Sequence, residues 1–211
     1  MNTLKGAIVA IDDTNSQTQV IAFQYNPATI RRSLRPEMVG GEEGDRSQEV
    51  RFTGAPVQTI TLDIEIDATD QLNAGNPTTE WLGVLPQLAT LELLVYPTIQ
   101  QITNLQSQLA KGVLEVAPLS APRTLFVWGP NRVMPVRIGE YSITEEIFDP
   151  SLRPIRATVA LSLRVLNYSD LDASNPSYND FMAYQQQLQN MSRSFRSADT
   201  ETSTGVQTEG L

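Results

Sequence analysis

The chain has 211 residues, 40% hydrophobic and 18% charged, with a formal net charge of −9 and neither cysteine nor histidine. That length suits one domain with extensions or two small ones, and the apolar share is enough for a real core. The two missing residue types exclude disulfides, thiolate nucleophiles, Ser-His-Asp triads and zinc sites of the usual kinds, and with them the one side chain that titrates unperturbed near neutral pH.

The acid excess disfavours general binding to nucleic acid, because neutralising phosphates takes an excess of Lys and Arg. Arg31, Arg32 and Arg35 form a local basic cluster, but acids between Glu37 and Glu49 lie close by, and the cluster reads as surface pairing. At the N-terminus a short apolar run, Ala7 to Ile11, leads directly into Asp12-Asp13, which is not the form of a secretory signal. No apolar stretch reaches the length of a membrane span. The expectation is cytoplasmic synthesis with no direct membrane insertion.

Residues 4–11 and 18–25 read as a β-hairpin around the turn cluster Asp12 to Ser16. The second strand stops at Tyr25-Asn26-Pro27, since Pro fixes φ and biases Asn26 toward an extended shape. Residues 36–49 read as a long polar loop in which Gly40, Gly41 and Gly44 sit among acids. The spacing of a calcium loop is absent there, so no metal is expected. Residues 57–66 give the cleanest strand: Ile60, Leu62, Ile64 and Ile66 point one way, Thr59, Thr61, Asp63 and Glu65 the other. One face belongs on a core and the other toward water or a wet partner surface.

Residues 83–96 read as a helix, with Pro86 in the first turn and Leu85, Leu88 and Leu91 (with Leu94 or Val95) as its stripe. A second amphipathic stripe, Ile99, Ile102, Leu105 and Leu109, follows in the polar-leaning segment 98–111. Both stripes are expected to pack on a sheet. Thr124 to Trp128 reads as a strand and Gly129-Pro130-Asn131 as a turn. In Val133 to Phe148 the alternation of Met134, Val136 and Ile138 changes parity at Gly139 to continue as Tyr141 and Ile143, which predicts a β-bulge there. Residues 155–166 alternate again, so that 133–166 forms one long antiparallel hairpin. Its outer face, Arg156, Thr158, Ala160, Ser162 and Arg164, is mild and small for a surface meeting only bulk water. The chain divides near residue 170 into a β domain (1–170) and a C-terminal part (171–211) with a short helix over 178–191 and a polar tail. The tail cannot bury enough apolar surface to order itself alone.

No phosphate loop, dinucleotide fingerprint, nucleophile elbow or metal motif is present. Glu145 and Glu146 are neighbours on a strand and point to opposite faces. Asp63 and Glu65 share a face as a hydrolase pair would, yet they continue the plain alternation of Thr59 and Thr61. Trp81 and Trp128 read as core or interface anchors. No catalytic residue, cofactor or metal is expected, and the chain reads as a non-enzymatic structural protein.

Five segments in order resemble the tube-protein family of contractile injection systems, the phage-tail-like particles, and its spike-to-tube adaptor branch in particular. They are Phe23-Gln24-Tyr25-Asn26-Pro27; Phe52-Thr53-Gly54-Ala55-Pro56 running into the strand 57–66; the helix around 85–95; Leu125-Phe126-Val127-Trp128-Gly129; and Tyr141 through Phe148-Asp149-Pro150 to Pro154-Ile155-Arg156-Ala157. The last is similar to the family's F-D-x-x-G-x-P-x-R-A, but Ser151-Leu152-Arg153 stands where the usual Gly falls. Residues 98–118 look like an insertion, and residues 176–211 are too short and polar for the LysM module of many adaptor members.

The resemblance implies an antiparallel β-barrel or sandwich with one or two flanking helices, assembled as a homohexameric ring. The implied partners are the spike or hub protein, inner tube subunits and baseplate wedge proteins, with no nucleic acid. The implied role is tube initiation; a bulk tube subunit, a tube-terminating cap, a luminal cargo or a soluble ligand-binding sandwich are the alternatives. Its implied assembly residues are Phe23, Tyr25, Asn26, Pro27, Trp128, Phe148, Asp149 and Pro150 from the motifs, with Arg156, Thr158, Ser162 and Arg164 on the mild strand face.

Overall fold

A computed structural model of the chain describes residues 4–12, 17–39, 51–112, 119 and 121–194. Strands β1 (Ala7–Asp12) and β2 (Gln17–Ala22) form the expected first hairpin. Then come β3 (Arg31–Arg35), the short pair β4 (Met38–Val39) and β5 (Arg51–Phe52), and the long β6 (Val57–Asp67). Four helices follow: α1 (Thr69–Asn73), α2 (Pro77–Leu82), α3 (Leu85–Glu92) and α4 (Ile99–Ala110). The chain returns to strand in β7 (Arg123–Val127), β8 (Val133–Phe148) and β9 (Pro154–Val165), and then forms α5 (Pro176–Ser194).

Seven strands make one antiparallel sheet in the order β2-β1-β7-β8-β9-β6-β3, while β4 and β5 pair apart from it. The fold is mainly β with flanking helices, as the sequence pattern predicted. The sheet is open: it does not close into a barrel among the described residues, and β2 and β3 stand at its edges.

The alternation of β6 decides which face is covered. Ile60, Leu62, Ile64 and Ile66 are buried, whereas Thr61, Asp63 and Glu65 are exposed. Register with β9 sets Leu161 against Leu62 and Val159 against Ile64, so the buried stripe runs across both strands. Leu88, Leu91 and Leu94 around α3 join the same core, as does Tyr184 of α5. Each such leucine contributes about 1.5–3 kcal/mol relative to an exposed one. In β8 the register shifts between Ile138 and Glu140, at the predicted bulge. Gly139 sits at this shift, where a Cβ would make a tight 3.3 Å contact with the Ser162 carbonyl oxygen. Beyond it Tyr141 and Ile143 fall opposite Leu161 and Val159, back on the core side.

Several expectations are corrected. Arg31, Arg32 and Arg35 lie on an edge strand, β3, hydrogen-bonded along β6. The acids from Glu42 to Glu49, on which the expected pairing of this cluster falls, lie outside the described residues; Arg32 donates to the Tyr184 hydroxyl at 3.2 Å. The ends of the predicted loop 36–49 are drawn together, because Met38 and Val39 pair with Phe52 and Arg51. Helix 83–96 is the shorter α3, and Leu94 rather than Val95 completes its stripe. The second stripe does form a helix, α4, but buries no side chain, so its expected packing on the sheet fails. The C-terminal helix is longer than predicted, and the polar tail from residue 195 onward lies outside the described residues.

Candidate assembly surfaces

The Phe23–Pro27 motif ties the start of the chain to the sheet. Phe23 is buried, with its ring centroid 6.4 Å from that of Phe126. Phe126 in turn stacks on Trp128 at 6.2 Å. Gly6 passes so close that a Cβ would meet the Trp128 ring at 2.5 Å. Asn26 accepts from the Gly6 amide and donates to the Leu4 carbonyl, both at 2.8 Å, substituting for a strand partner. Gln24 does the same for Asp67: its amide nitrogen donates to the Asp67 carbonyl at 2.7 Å, and its oxygen accepts the Asp67 amide at 2.9 Å. Of the motif, Tyr25 is exposed and Pro27 half-buried.

The β8–β9 turn is built on Asp149. One carboxylate oxygen accepts the Ser151 amide at 2.8 Å and the Arg153 amide at 3.0 Å; the other accepts from Arg153 Nε at 2.6 Å. The Arg153 guanidinium holds this carboxyl below its usual range. Arg153 also donates to the Trp81 carbonyl at 3.0 Å, tying the turn to helix α2. Leu152 has φ of 62°, the left-handed region, at the position where the related motif has Gly. Ile147, on the other arm, also has positive φ, at 54°. Leu152 is 81% exposed and Trp81 73%, with Ile147 and Phe148 also exposed. Trp81 is therefore a surface side chain, while Trp128 is packed against the core.

The polar face of the sheet carries a fixed ion pair. Arg156 donates to Asp67 through Nε at 2.8 Å, and Glu65 lies 3.8 Å from the same guanidinium. Hydrogen bonds from Thr69 hold the Asp67 carboxyl below its usual range, and Arg156 pushes it the same way against the cost of burial. Arg164 pairs with Asp170 at 2.6 Å. Thr158 and Ser162 are half-buried on the same face. Asp63 and Glu65 are both exposed, and Glu65 faces a cation rather than a second acid. On the core side, burial and then the charge of Glu92 push the Tyr141 hydroxyl up to about 12.

The predicted residues therefore fall in three places: the packed N-terminal lock (Phe23, Asn26, Trp128), the hairpin tip (Phe148, Asp149, Pro150) and the polar strand face (Arg156, Thr158, Ser162, Arg164). Sequence reasoning missed Gln24, Asp67 and Arg153. Gln24 gave no signal, because its role depends on a strand 43 residues away. Arg153 was legible in principle, since Asp and Arg four apart around a Pro-containing turn are placed to pair.

The free backbone edges lie where the long hairpin outruns its neighbours. β7 pairs with β8 only from Val133 to Val136, and β3 covers β6 only from Val57 to Thr61. Beyond those points β8-β9-β6 continues as a three-stranded blade whose two edges pair with no further strand among the described residues, Asp67 at the end of β6 being capped by the Gln24 side chain. No described helix is long and apolar enough to cross a membrane.

Open strand edges, a braced apolar tip and a mild polar face are the features of a β protein that assembles with others. The family model of the contractile injection system tube protein matches residues 3–173, and the chain belongs to that family. A chain from the tail of an empty GTA particle, solved by helical refinement with C6 symmetry, is similar at 13% identity and a TM-score of 0.32, over 79% of this chain and 94% of that one. No curated protein matches significantly.

Proposed function

We propose that the chain forms a hexameric ring that joins the spike hub to the inner tube and initiates tube assembly in a contractile injection particle. The observation that carries this reading is the β8-β9-β6 blade. Its two edges, Glu140–Phe148 and Leu62–Ile66, have no strand partner among the described residues. Unpaired edges of this length are a template for another strand, and edge-to-edge joining of six copies removes them. In that ring Arg156, Thr158, Ser162 and Arg164 line the lumen or the contact between subunits, and Phe148 with Pro150 sits at its rim. The work is mechanical, and no residue is assigned a catalytic role. Membership of a tube-protein family also supports a second reading, the bulk inner-tube subunit. The insertion around α4 favours the specialised ring. Tube-terminating caps share the same chemistry.

Cryo-electron microscopy of the parent particle separates these readings by position and copy number. One six-fold ring at the spike–tube junction is expected. Many stacked rings would make the chain the tube itself, a ring at the far end the cap, and absence from the ordered particle would defeat all three.

A further inference from the structure

The two margins of the sheet carry opposite charges that the chain does not match within itself. On the outermost strand β3, Arg31 and Arg35 are exposed and pair with no acid among the described residues. On β8, Glu145 is exposed and unpaired in the same sense, and Glu146 lies across from Arg156, whose guanidinium is already held by Asp67. Strand register fixes the face of each side chain. Arg31 and Ser33 lie opposite Thr61 and Thr59, so the odd positions of β3 share the polar face and Arg32 and Leu34 share the core face. Past the bulge, Ser142, Thr144 and Glu146 lie opposite Ala160, Thr158 and Arg156 on that polar face, with Ile143 and Glu145 on the core face. β3 is also the outermost element on its side. Gln24 caps β6 at Asp67 and Arg31 pairs with Thr61, so the chain leading into β3 starts at one end of the free stretch of β6 and finishes at the other.

We infer that β3 of one copy pairs antiparallel with the free β8 edge of the next copy of this chain, in the register Arg31 to Glu146, Ser33 to Thr144 and Arg35 to Ser142. Copies related by a rotation axis keep their strand directions relative to it. β3 is antiparallel to β6, β6 to β9 and β9 to β8, so β3 and β8 run in opposite senses and meet as an antiparallel pair. A direct joint between β6 and β8 would be parallel and would set Asp63 and Glu65 along a strand that bears Glu140 and Glu146. Faces must match across the joint, so the allowed registers differ by two residues. The register named here sets Arg31 on Glu146 over the polar face, Arg32 on Glu145 and Leu34 on Ile143 over the core face, and Arg35 diagonal to Glu140. A slip of two toward the hairpin tip would set Leu34 on Glu145, and a slip of two the other way would set Arg32 on Ile143. Opposite charges and apolar partners directly across a strand pair stabilise it. This rests on the reading of the chain as a ring subunit and names the strands, direction and register of its joint.

The chain has no cysteine, so the joint can be trapped directly. The double variant Ser33→Cys with Thr144→Cys, both at exposed positions, is oxidised in the assembled particle and run on a denaturing gel. Within one chain β6 and β9 lie between these strands, about 14 Å at the usual spacing, beyond the roughly 7 Å between Cα atoms that a disulfide spans. A ladder of covalent oligomers ending at the hexamer is expected. Ser33→Cys with Glu140→Cys, about 13 Å out of register, should give several-fold less. Arg31→Glu should cut the first ladder several-fold, and adding Glu146→Arg should restore it. Assembled rings that give no ladder would overturn the joint and leave the ring reading standing. Cross-linking of Asp63→Cys to Thr144→Cys instead would assign the joint to β6 and also overturn it. A ladder from particles that hold many stacked rings of the chain would keep the joint and remove the initiator role.

Discussion

Helices α3 and α4 are neighbours in the chain with near-identical apolar spacing, and they have opposite fates. Leu88, Leu91 and Leu94 of the first stripe are buried in the core, whereas Ile99 of the second is 83% exposed and Leu109 56%. Their ends differ in the reverse sense. α3 begins at Val84 with no side-chain cap. α4 begins with a full capping box: Thr98 accepts the Gln101 amide at 3.3 Å, and the Gln101 side chain accepts the Thr98 amide at 2.9 Å. α4 is thus specified locally and α3 by what it packs against. A helix of α4's length is marginal in water on its own, so capping counts for more there. An apolar stripe says that a face wants covering, and leaves open which surface covers it.

The largest effect that sharpens the contrast is a cavity. Leu91→Ala should destabilise the free subunit by about 2–5 kcal/mol in urea unfolding, while Ile102→Ala on α4 should shift it by about 0.5 kcal/mol or less. Equal losses would break the comparison. Next is the junction that sets α3 in place. Gly83 has φ of 59°, and a Cβ there would lie 2.2 Å from the Pro154 carbonyl oxygen. Gly83→Ala should therefore cost about 2 kcal/mol or more, since both backbone strain and a clash with backbone oppose it. A thermal shift within error of the native protein would show that α3 does not depend on this approach. Thr98→Ala removes half of the capping box and should cost about 1 kcal/mol of local helix stability. Hydrogen exchange should rise along α4 with the global midpoint almost unmoved, because nothing in the described core rests on that helix.

The smallest effect is from pH. Asp67 has a folded-state pKa below its unfolded value, so its contribution is fully present above the unfolded pKa and lost as pH falls through the folded one. Stability should decline below about pH 4, the ordinary range of an Asp. Asp67→Asn should flatten that part of the profile. Helix α4 has no charged residue, and its exchange rates, corrected for intrinsic pH dependence, should not follow that decline.

What was legible in the sequence follows from local period. The alternation of β6 and β9, the parity change at Gly139 and the turn before Pro154 each depend on residues a few positions apart. Edge strand β3 was not legible, because Arg-Arg-Ser-Leu-Arg lacks the alternation of a strand with a buried face, and all five residues are exposed. Helix α2 left a readable sign that was passed over: Asn76 before Pro77, with the Asn side chain accepting the Thr78 and Thr79 amides. The site residues divided the same way. Asp149 reads as a turn former from its neighbours alone, whereas its bracing by an arginine that also holds Trp81 needs a helix 72 residues distant.

The sequence by itself determined that this is a mainly β chain with a long bulged hairpin, without the side chains of thiol, imidazole or zinc chemistry, because period and composition are properties of the chain alone. Only the tertiary structure decided that the sheet stays open among the described residues, that Leu152 occupies a glycine's conformation, and that one apolar stripe is covered while its twin is not. Those outcomes depend on which surfaces remain free after distant segments have met, and no local window of sequence contains that information.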